Sequence, residues 1–366
     1  MTASEARAAG GRAGALRRAA RGLGWLLLLV LLPVLGLLSP VAYVELACQP
    51  GEVRTAAIEP ILPPQDRRPE SNTLLTYPEW HIVHAYADYA EVIRQDDPHD
   101  YGYLPAIAQY WGSLCSLTRA SGSMGGPSPD YRTMTHVIGV SFTAELLLKA
   151  AYEETFGRAA AWLRGPRPSS LDELSASQAA AYAEFLRQVP WYRWDFRAAR
   201  EELRSAATEA FRDRERAFAL GTEYALKAVY ADVIGSAVAA TGGDELTMRS
   251  VVRGLSPEAL GRIAEVTVIR ERPEGSEIET PRYAAFTALA RELAAQGGEF
   301  VEIAGNDEIL VTDIAEGRMD RPGSVLLGVL PRQGHGGVRE LRLLRVEALA
   351  GLLRDPAVAV EHIHDY

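Results

Sequence analysis

Apolar and charged positions divide the chain into stretches of different texture. Trp25–Val44 reads WLLLLVLLPVLGLLSPVAYV and holds no charged residue. It has the roughly 20 residues a helix needs to cross a ~30 Å hydrocarbon core. Pro33, Gly36 and Pro40 are tolerated in such a helix, and Trp25 and Tyr43 stand where aromatic rings favour the interface. A proline-rich stretch follows, with Pro50, Pro60, Pro63, Pro64 and Pro69 among polar residues. It reads as a stiff, extended linker rather than a packed element.

From Thr76 the apolar residues recur with helical period. Thr76-Tyr77-Pro78-Glu79 resembles a capped helix start, with proline in the first turn. The helix is expected to run to about Arg94. Further helices are expected at Tyr103–Leu117, Thr133–Phe156, Gln178–Gln188 and Trp194–Ala240, the last bent or ended at Gly221 or Gly235. Trp191, Tyr192, Trp194 and Phe196 cluster near a helix start, as a buried aromatic knot or as a contact with lipid.

After Gly254 the periodicity shortens. Glu265–Arg270 alternates like a strand, and Pro281–Ala295 is helix-like. Phe300–Ala304 and Glu308–Asp313 look like a hairpin across Gly305-Asn306-Asp307. Ser324–Leu330 and Glu340–Val346 read as strands, Glu347–Leu353 as a short helix, and Ala357–Ile363 as a closing strand. This order predicts an α+β sandwich, ferredoxin-like in sequence of elements. Such a fold implies no function. The expected organisation is a basic tail (1–21), a transmembrane anchor (22–45), the linker (46–75), a mainly α-helical domain (76–242) and a smaller α+β domain (260–366).

Charge sets the orientation. The net charge is −10, yet Arg7, Arg12, Arg17, Arg18 and Arg21 precede the apolar segment, while Glu45 and Glu52 follow it. The positive-inside rule places the N-terminal tail in the cytoplasm and the bulk of the chain outside, at a bacterial inner membrane. A cleaved signal peptide would put Ala47 at −1 but Glu45 at −3, a poor site. The acidic remainder has no electrostatic footprint for nucleic acid. Two cysteines, Cys48 and Cys115, are too few for a disulfide scaffold. Whether they form one bridge in an oxidising compartment is left open.

Of 38 basic residues, 36 are arginine and two are lysine. Both lysines fall at one position of an internal repeat. Glu145-Leu-Leu-Leu-Lys149-Ala-Ala-Tyr152 aligns without gaps to Glu223-Tyr-Ala-Leu-Lys227-Ala-Val-Tyr230, and each copy ends in glycine at Gly157 and Gly235. Glu, Lys and Tyr at i, i+4 and i+7 lie within about 60° of one another on a helix. Lysine is a compact charge whose pKa shifts on burial, unlike arginine. The stripes suit a packing device or a solvated surface pair. Alternatively, two facing stripes present ammonium groups and phenols to an anionic ligand, or a lysine forms a Schiff base.

His81, His84 and Asp88 share a helix face and could supply three metal ligands, with His99 or His136 as a fourth. The bland alternative is a solvated polar face. His362 and His364 share one strand face, which fits a docked strand or a weak metal site. No G-x-S-x-G, P-loop, dinucleotide fingerprint or paired C-x-x-C occurs, and no cofactor is strongly indicated.

Three segments carry a resemblance: Tyr77-Pro-Glu-Trp-His-Ile-Val-His84, Ser141-Phe-Thr-Ala-Glu-Leu-Leu-Leu-Lys149 through Tyr152-Glu-Glu-Thr-Phe-Gly-Arg158, and Glu361-His-Ile-His-Asp-Tyr366. The chain resembles a group of uncharacterised bacterial membrane-associated proteins. That resemblance implies a location and no chemistry. The expectation is a membrane-anchored extracytoplasmic module that binds a protein or small ligand without catalysis. One alternative is a metal-dependent hydrolase or other enzyme working through the His81/His84/Asp88 face or the Lys149/Lys227 stripes. Another is a structural subunit of a membrane complex, which a large exposed apolar patch on the helical part would favour.

Overall fold

The computed structural model describes Trp25, Leu29 and residues 31–51, 59–240 and 246–366. Residues 31–47 are helical (α1). Among the described residues, no helix is long and apolar enough to cross a membrane. The expected anchor falls partly, and the basic tail wholly, outside the described residues.

Residues Cys48–Tyr366 form one compact unit: a mainly helical region followed by an α+β region with two antiparallel four-stranded sheets. The helices are α2 (Ser71–Gln95), α3 (Tyr103–Ala120), α4 (Pro129–Tyr152), α5 (Arg158–Arg164), α6 (Ser170–Leu186), α7 (Phe196–Ala206) and α8 (Phe211–Ala240). A single π turn, Glu153–Gly157, joins α4 to α5. Helix α2 starts before the expected Thr76, so Pro78 lies inside it. Burial of Leu74 and Leu75 favours winding the extra turn.

The expected single helix Trp194–Ala240 is two. The chain breaks between α7 and α8, where Thr208 N–H donates to the Asp213 carboxylate (3.2 Å) and so does Leu171 N–H (3.1 Å). Asp213 thus ties the break to the start of α6. Helix α8 continues through Gly221 and Gly235. A Cβ at Gly235 would meet the Tyr192 ring at 3.5 Å, an ordinary packing contact. The cluster of Trp191, Tyr192, Trp194 and Phe196 packs with Tyr86 and Tyr182 as an aromatic knot.

Strands β1 (Thr247–Arg253), β2 (Thr267–Arg272), β3 (Gly275–Pro281) and β4 (Glu299–Ile303) form one sheet in the order β2-β3-β1-β4. A four-residue helix α9 (Pro257–Leu260) lies between β1 and β2, and α10 (Tyr283–Ala295) between β3 and β4. Strands β5 (Glu308–Ala315), β6 (Ser324–Pro331), β7 (Val338–Arg345) and β8 (Ala359–His364) form the second sheet in the order β6-β7-β5-β8, with α11 (Val346–Arg354) between β7 and β8. Each sheet places its first strand between its third and fourth. A shared core, including Val252, Phe286, Phe300, Ile309, Leu349 and Ile363, joins both sheets to α10 and α11. On its other face the second sheet packs Leu310, Leu341 and Leu343 against Leu74, Tyr77 and Trp80 of α2.

The expected hairpin across Gly305-Asn306-Asp307 is a turn between sheets. Its flanking strands, β4 and β5, pair with different neighbours. The segment before α2 holds the turn: Arg68 N–H donates to Ala304 O (2.9 Å), and Asn306 donates to Arg68 O (2.8 Å). Part of the proline-rich stretch is packed as well. Ile61 and Leu62 N–H donate to Glu302 at 2.5 and 2.9 Å, and the Leu62 side chain is buried. Cys48 and Cys115 form a disulfide, closing a sequence separation of 67. Such a bridge points to an oxidising, extracytoplasmic compartment.

Candidate functional site

The two copies of the repeat meet. Glu145 and Lys149 come from α4, Glu223 and Lys227 from α8, and the four charges form one cluster. Lys227 Nζ lies 2.8 Å from Glu145 and 3.0 Å from Glu223. Lys149 Nζ lies 3.1 Å from the same Glu223 oxygen and 3.6 Å from Glu145. The i, i+4 spacing aims each lysine toward its own glutamate, and the facing helix supplies the second carboxylate. Tyr86 of α2 donates its hydroxyl to Glu145 and accepts from Lys227 at 2.8 Å. Lys149 lies 4.9 Å above the Tyr89 ring, and Lys227 5.6 Å above Tyr182.

Burial alone would raise the Glu223 carboxyl, but the two ammonium groups outweigh it and hold the group at about 2. Glu145 is lowered by the same balance. Burial works to lower Lys227, yet Glu145, Tyr86 and Glu223 push it well above the ordinary lysine value. Both carboxylates are thus ionised at neutral pH, and Lys227 is protonated. The adjoining cavity measures about 30 Å³ and is lined by Tyr86, Tyr182, Phe196, Lys149 and Lys227 among others. That admits a water molecule or two and no larger ligand.

The repeat tyrosines lie elsewhere. Tyr152 donates to Glu215 at 2.6 Å, beside the buried pair Arg216–Glu153 (2.9 Å). Tyr230 is partly exposed and packs on Trp191. The phenols at the lysines belong instead to Tyr86, Tyr89 and Tyr182, which the repeat does not contain.

The leucine preceding each lysine points the other way. Leu148 is 74% exposed and Leu226 69% exposed, while the adjacent lysines turn inward. The same inversion runs along both helices. Val137, Leu147, Phe218, Val229 and Val233 also face outward, and α5 adds Trp162, 80% exposed. Both helices thus expose apolar side chains while the repeat's charges turn inward, with Asp232 and Arg214 also exposed on α8.

His81, His84 and Asp88 are all buried on α2 but do not converge. His81 Nε2 lies 3.0 Å from Ala106 O, and Asp88 accepts from Gln333 N–H at 3.0 Å. His136 stacks beside Trp111, and His99 lies 4.0 Å from Asp100. Among the described residues, the metal-ligand-type trio with atoms within 4.8 Å of one another is Asp97, His99 and Asp100. Asp97 there is already held by Arg164 at 2.8 Å.

His84 instead faces β8, where its Nδ1 lies 3.6 Å from Glu361. Trp80 stacks on His362 with centroids 3.4 Å apart, His362 and His364 lie edge to face at 4.8 Å, and Tyr77 packs on His364 at 5.5 Å. Thus Tyr77–His84 and Glu361–Tyr366 form one buried aromatic knot. Both ring nitrogens of His84 and His364 are buried without a hydrogen-bond partner. Burial pushes His364 to about 3 and His84 and His362 well below the usual value, so the rings are neutral. An aromatic stripe at helical spacing and a period-two histidine pair signal this knot in sequence, though not their pairing.

No protein-family model, no curated protein and no solved structure matches the chain.

Proposed function

We propose that this chain is a membrane-anchored extracytoplasmic protein that works by binding, with the outer face of α4, α5 and α8 as its docking surface. The observation that carries this reading is the inverted repeat, in which Leu148 and Leu226 face outward while Lys149 and Lys227 face inward. A soluble helix normally does the reverse, and a contiguous exposed apolar face marks an interaction site. Residues 25–44 are the tether, with the N-terminal tail cytoplasmic. The charged cluster fixes the spacing of α4 and α8 and so the shape of the face. A protonated amine held by two carboxylates is no nucleophile, which weighs against Schiff-base chemistry. A structural subunit of a membrane complex is the second reading that an exposed apolar face supports. The α+β half is read as two ferredoxin-like units in tandem. The first crossover helix is reduced to α9 in one and is absent between β5 and β6 in the other.

The test is maleimide labelling of the full chain in native membranes, with cysteine introduced by Leu226→Cys or, as an exposed control on β6, Val325→Cys. The expected result is slow labelling at 226 that rises to the control rate in detergent. Equal rates in the membrane would refute a docking surface.

A further inference from the structure

The nature of the outer face of α4 and α8 identifies what covers it. Three hydroxyls of this region are turned back on the backbone one turn earlier: Thr222 donates to Phe218 O (2.7 Å) and Ser236 to Asp232 O (2.7 Å) on α8, and Thr155 in the π turn after α4 to Ala151 O (2.7 Å). Hydroxyls in an apolar medium bond this way. A protein interface of ordinary composition carries about one hydrogen bond per 100–200 Å², and these hydroxyls are already spent within their helices. A lipid surface requires none.

The margin also fits. Trp162 and Phe156 are exposed at one end of the face beside Arg158, which pairs with Glu154 (2.6 Å), and Phe211 and Phe218 lie near Arg214, which pairs with Glu209 (2.7 Å). Aromatic rings and long basic side chains favour the headgroup level. The tether keeps the bilayer within reach. Cys48 stands four residues beyond the apolar segment, a span of at most ~14 Å, and is bonded to Cys115 on α3.

We infer that the outer face of α4 and α8 lies in the headgroup–acyl boundary of the phospholipid bilayer to which the chain is tethered. The helices are immersed to the ~5–10 Å depth of an interfacial amphipathic helix. The charged cluster stays on the protein side, where Glu145 and Glu223 neutralise Lys149 and Lys227. This inference rests on the docking reading above and names its partner.

The experiment uses the full chain in phosphatidylethanolamine–phosphatidylglycerol vesicles. A nitrobenzoxadiazole probe is attached in turn after Leu226→Cys, Leu148→Cys and Val325→Cys. Quenching by lipid-borne nitroxide is compared with quenching by aqueous iodide, and flotation checks vesicle attachment. The probes at 226 and 148 should be quenched several-fold more by nitroxide than by iodide, and the probe at 325 the reverse. Two outward positions guard against one variant misfolding. Iodide quenching at 226 and 148 equal to that at 325 overturns the inference. Shielding from both quenchers also overturns it, because a protein such as a second copy then covers the face and the docking reading survives. A chain that fails to float with the vesicles overturns the inference and the membrane tether together.

Discussion

Lys227 of α8 approaches Glu145 of α4 to 2.8 Å, closer than the 3.6 Å between Glu145 and Lys149 on its own helix. The repeat is therefore an interhelical lock rather than two separate i, i+4 pairs. Lys227→Met leaves two carboxylates facing one ammonium in a largely buried cluster. Breaking a buried pair costs about 3–5 kcal/mol, and partial exposure reduces this to roughly 2–4 kcal/mol. Glu145→Gln in the same chain should recover part of the loss, with a coupling above about 1 kcal/mol. Urea unfolding followed by circular dichroism measures both. A Lys227→Met variant within about 0.5 kcal/mol of the parent would mean the pairs are effectively solvated.

The Cys48–Cys115 bridge closes a long loop. Chain-entropy reasoning assigns such a bridge about 4 kcal/mol. Cys115→Ser and Cys48→Ser should each lower the melting temperature as much as reductant does, and the double variant no further. A chain indifferent to reductant would remove the bridge from the list of stabilising features.

Gly139 on α4 lies against two rings of α3. A Cβ there would sit 2.4 Å from Tyr110 Cε1 and 2.8 Å from Trp111 Cη2. Tyr110 is fixed by its bond to Thr135 O (2.7 Å) and Trp111 by Thr143 (2.9 Å). Neither ring can yield freely, so Gly139→Ala should cost about 1–3 kcal/mol despite alanine's better helix propensity. A stabilised variant would show that the α3–α4 contact is loose.

Local pattern reached some of this structure and missed what depends on distant partners. The lysine cluster was legible because two copies of one spacing carry the only lysines of an arginine-rich chain. The same spacing groups Tyr152 and Tyr230 with them, because seven residues bring a side chain back to nearly the same face. That drift is enough to turn Tyr230 toward Trp191. Strands β1 and β3 escaped because charged residues interrupt their apolar runs. Glu277 is buried on β3, where Arg249 of β1 meets it at 2.9 Å, a pairing that no alternation rule reveals. Gly305-Asn306-Asp307 is a genuine turn signal, but its strands enter separate sheets, and the turn is held by the distant Arg68 and Glu70. The histidine knot joins α2 to β8, and nothing local to either predicts that meeting.

The same knot sets the response to acid. Burial holds His81 at about 4 and His364 at about 3, with His84 and His362 also well lowered, against 6.5 for a free ring. Below pH 6.5 the unfolded chain binds protons that the fold refuses. Stability present above 6.5 is therefore lost as pH falls, by about 1.4 kcal/mol per pH unit for each ring within its window. Three carboxyls on or beside α2 act oppositely. Burial, only partly countered by Arg282, raises Glu79 to about 7, and burial likewise raises Glu70 to about 7 and Asp88 to about 6. Their unperturbed values are 4.5 for glutamate and 3.8 for aspartate. Between 7 and about 4.5 the fold binds these protons and the unfolded chain does not, so stability rises as pH falls. The two effects largely cancel from pH 6.5 to about 4.5, and below that the histidine loss is joined by that of the lowered Glu223 and Glu145 carboxylates. The urea midpoint should be nearly flat from pH 7 to 5 and then drop steeply. Glu79→Gln removes one compensating proton, so its midpoint should begin to fall near pH 6.5. A Glu79→Gln profile parallel to the parent's would show that the carboxyl is ionised in the fold and that the cancellation has another source.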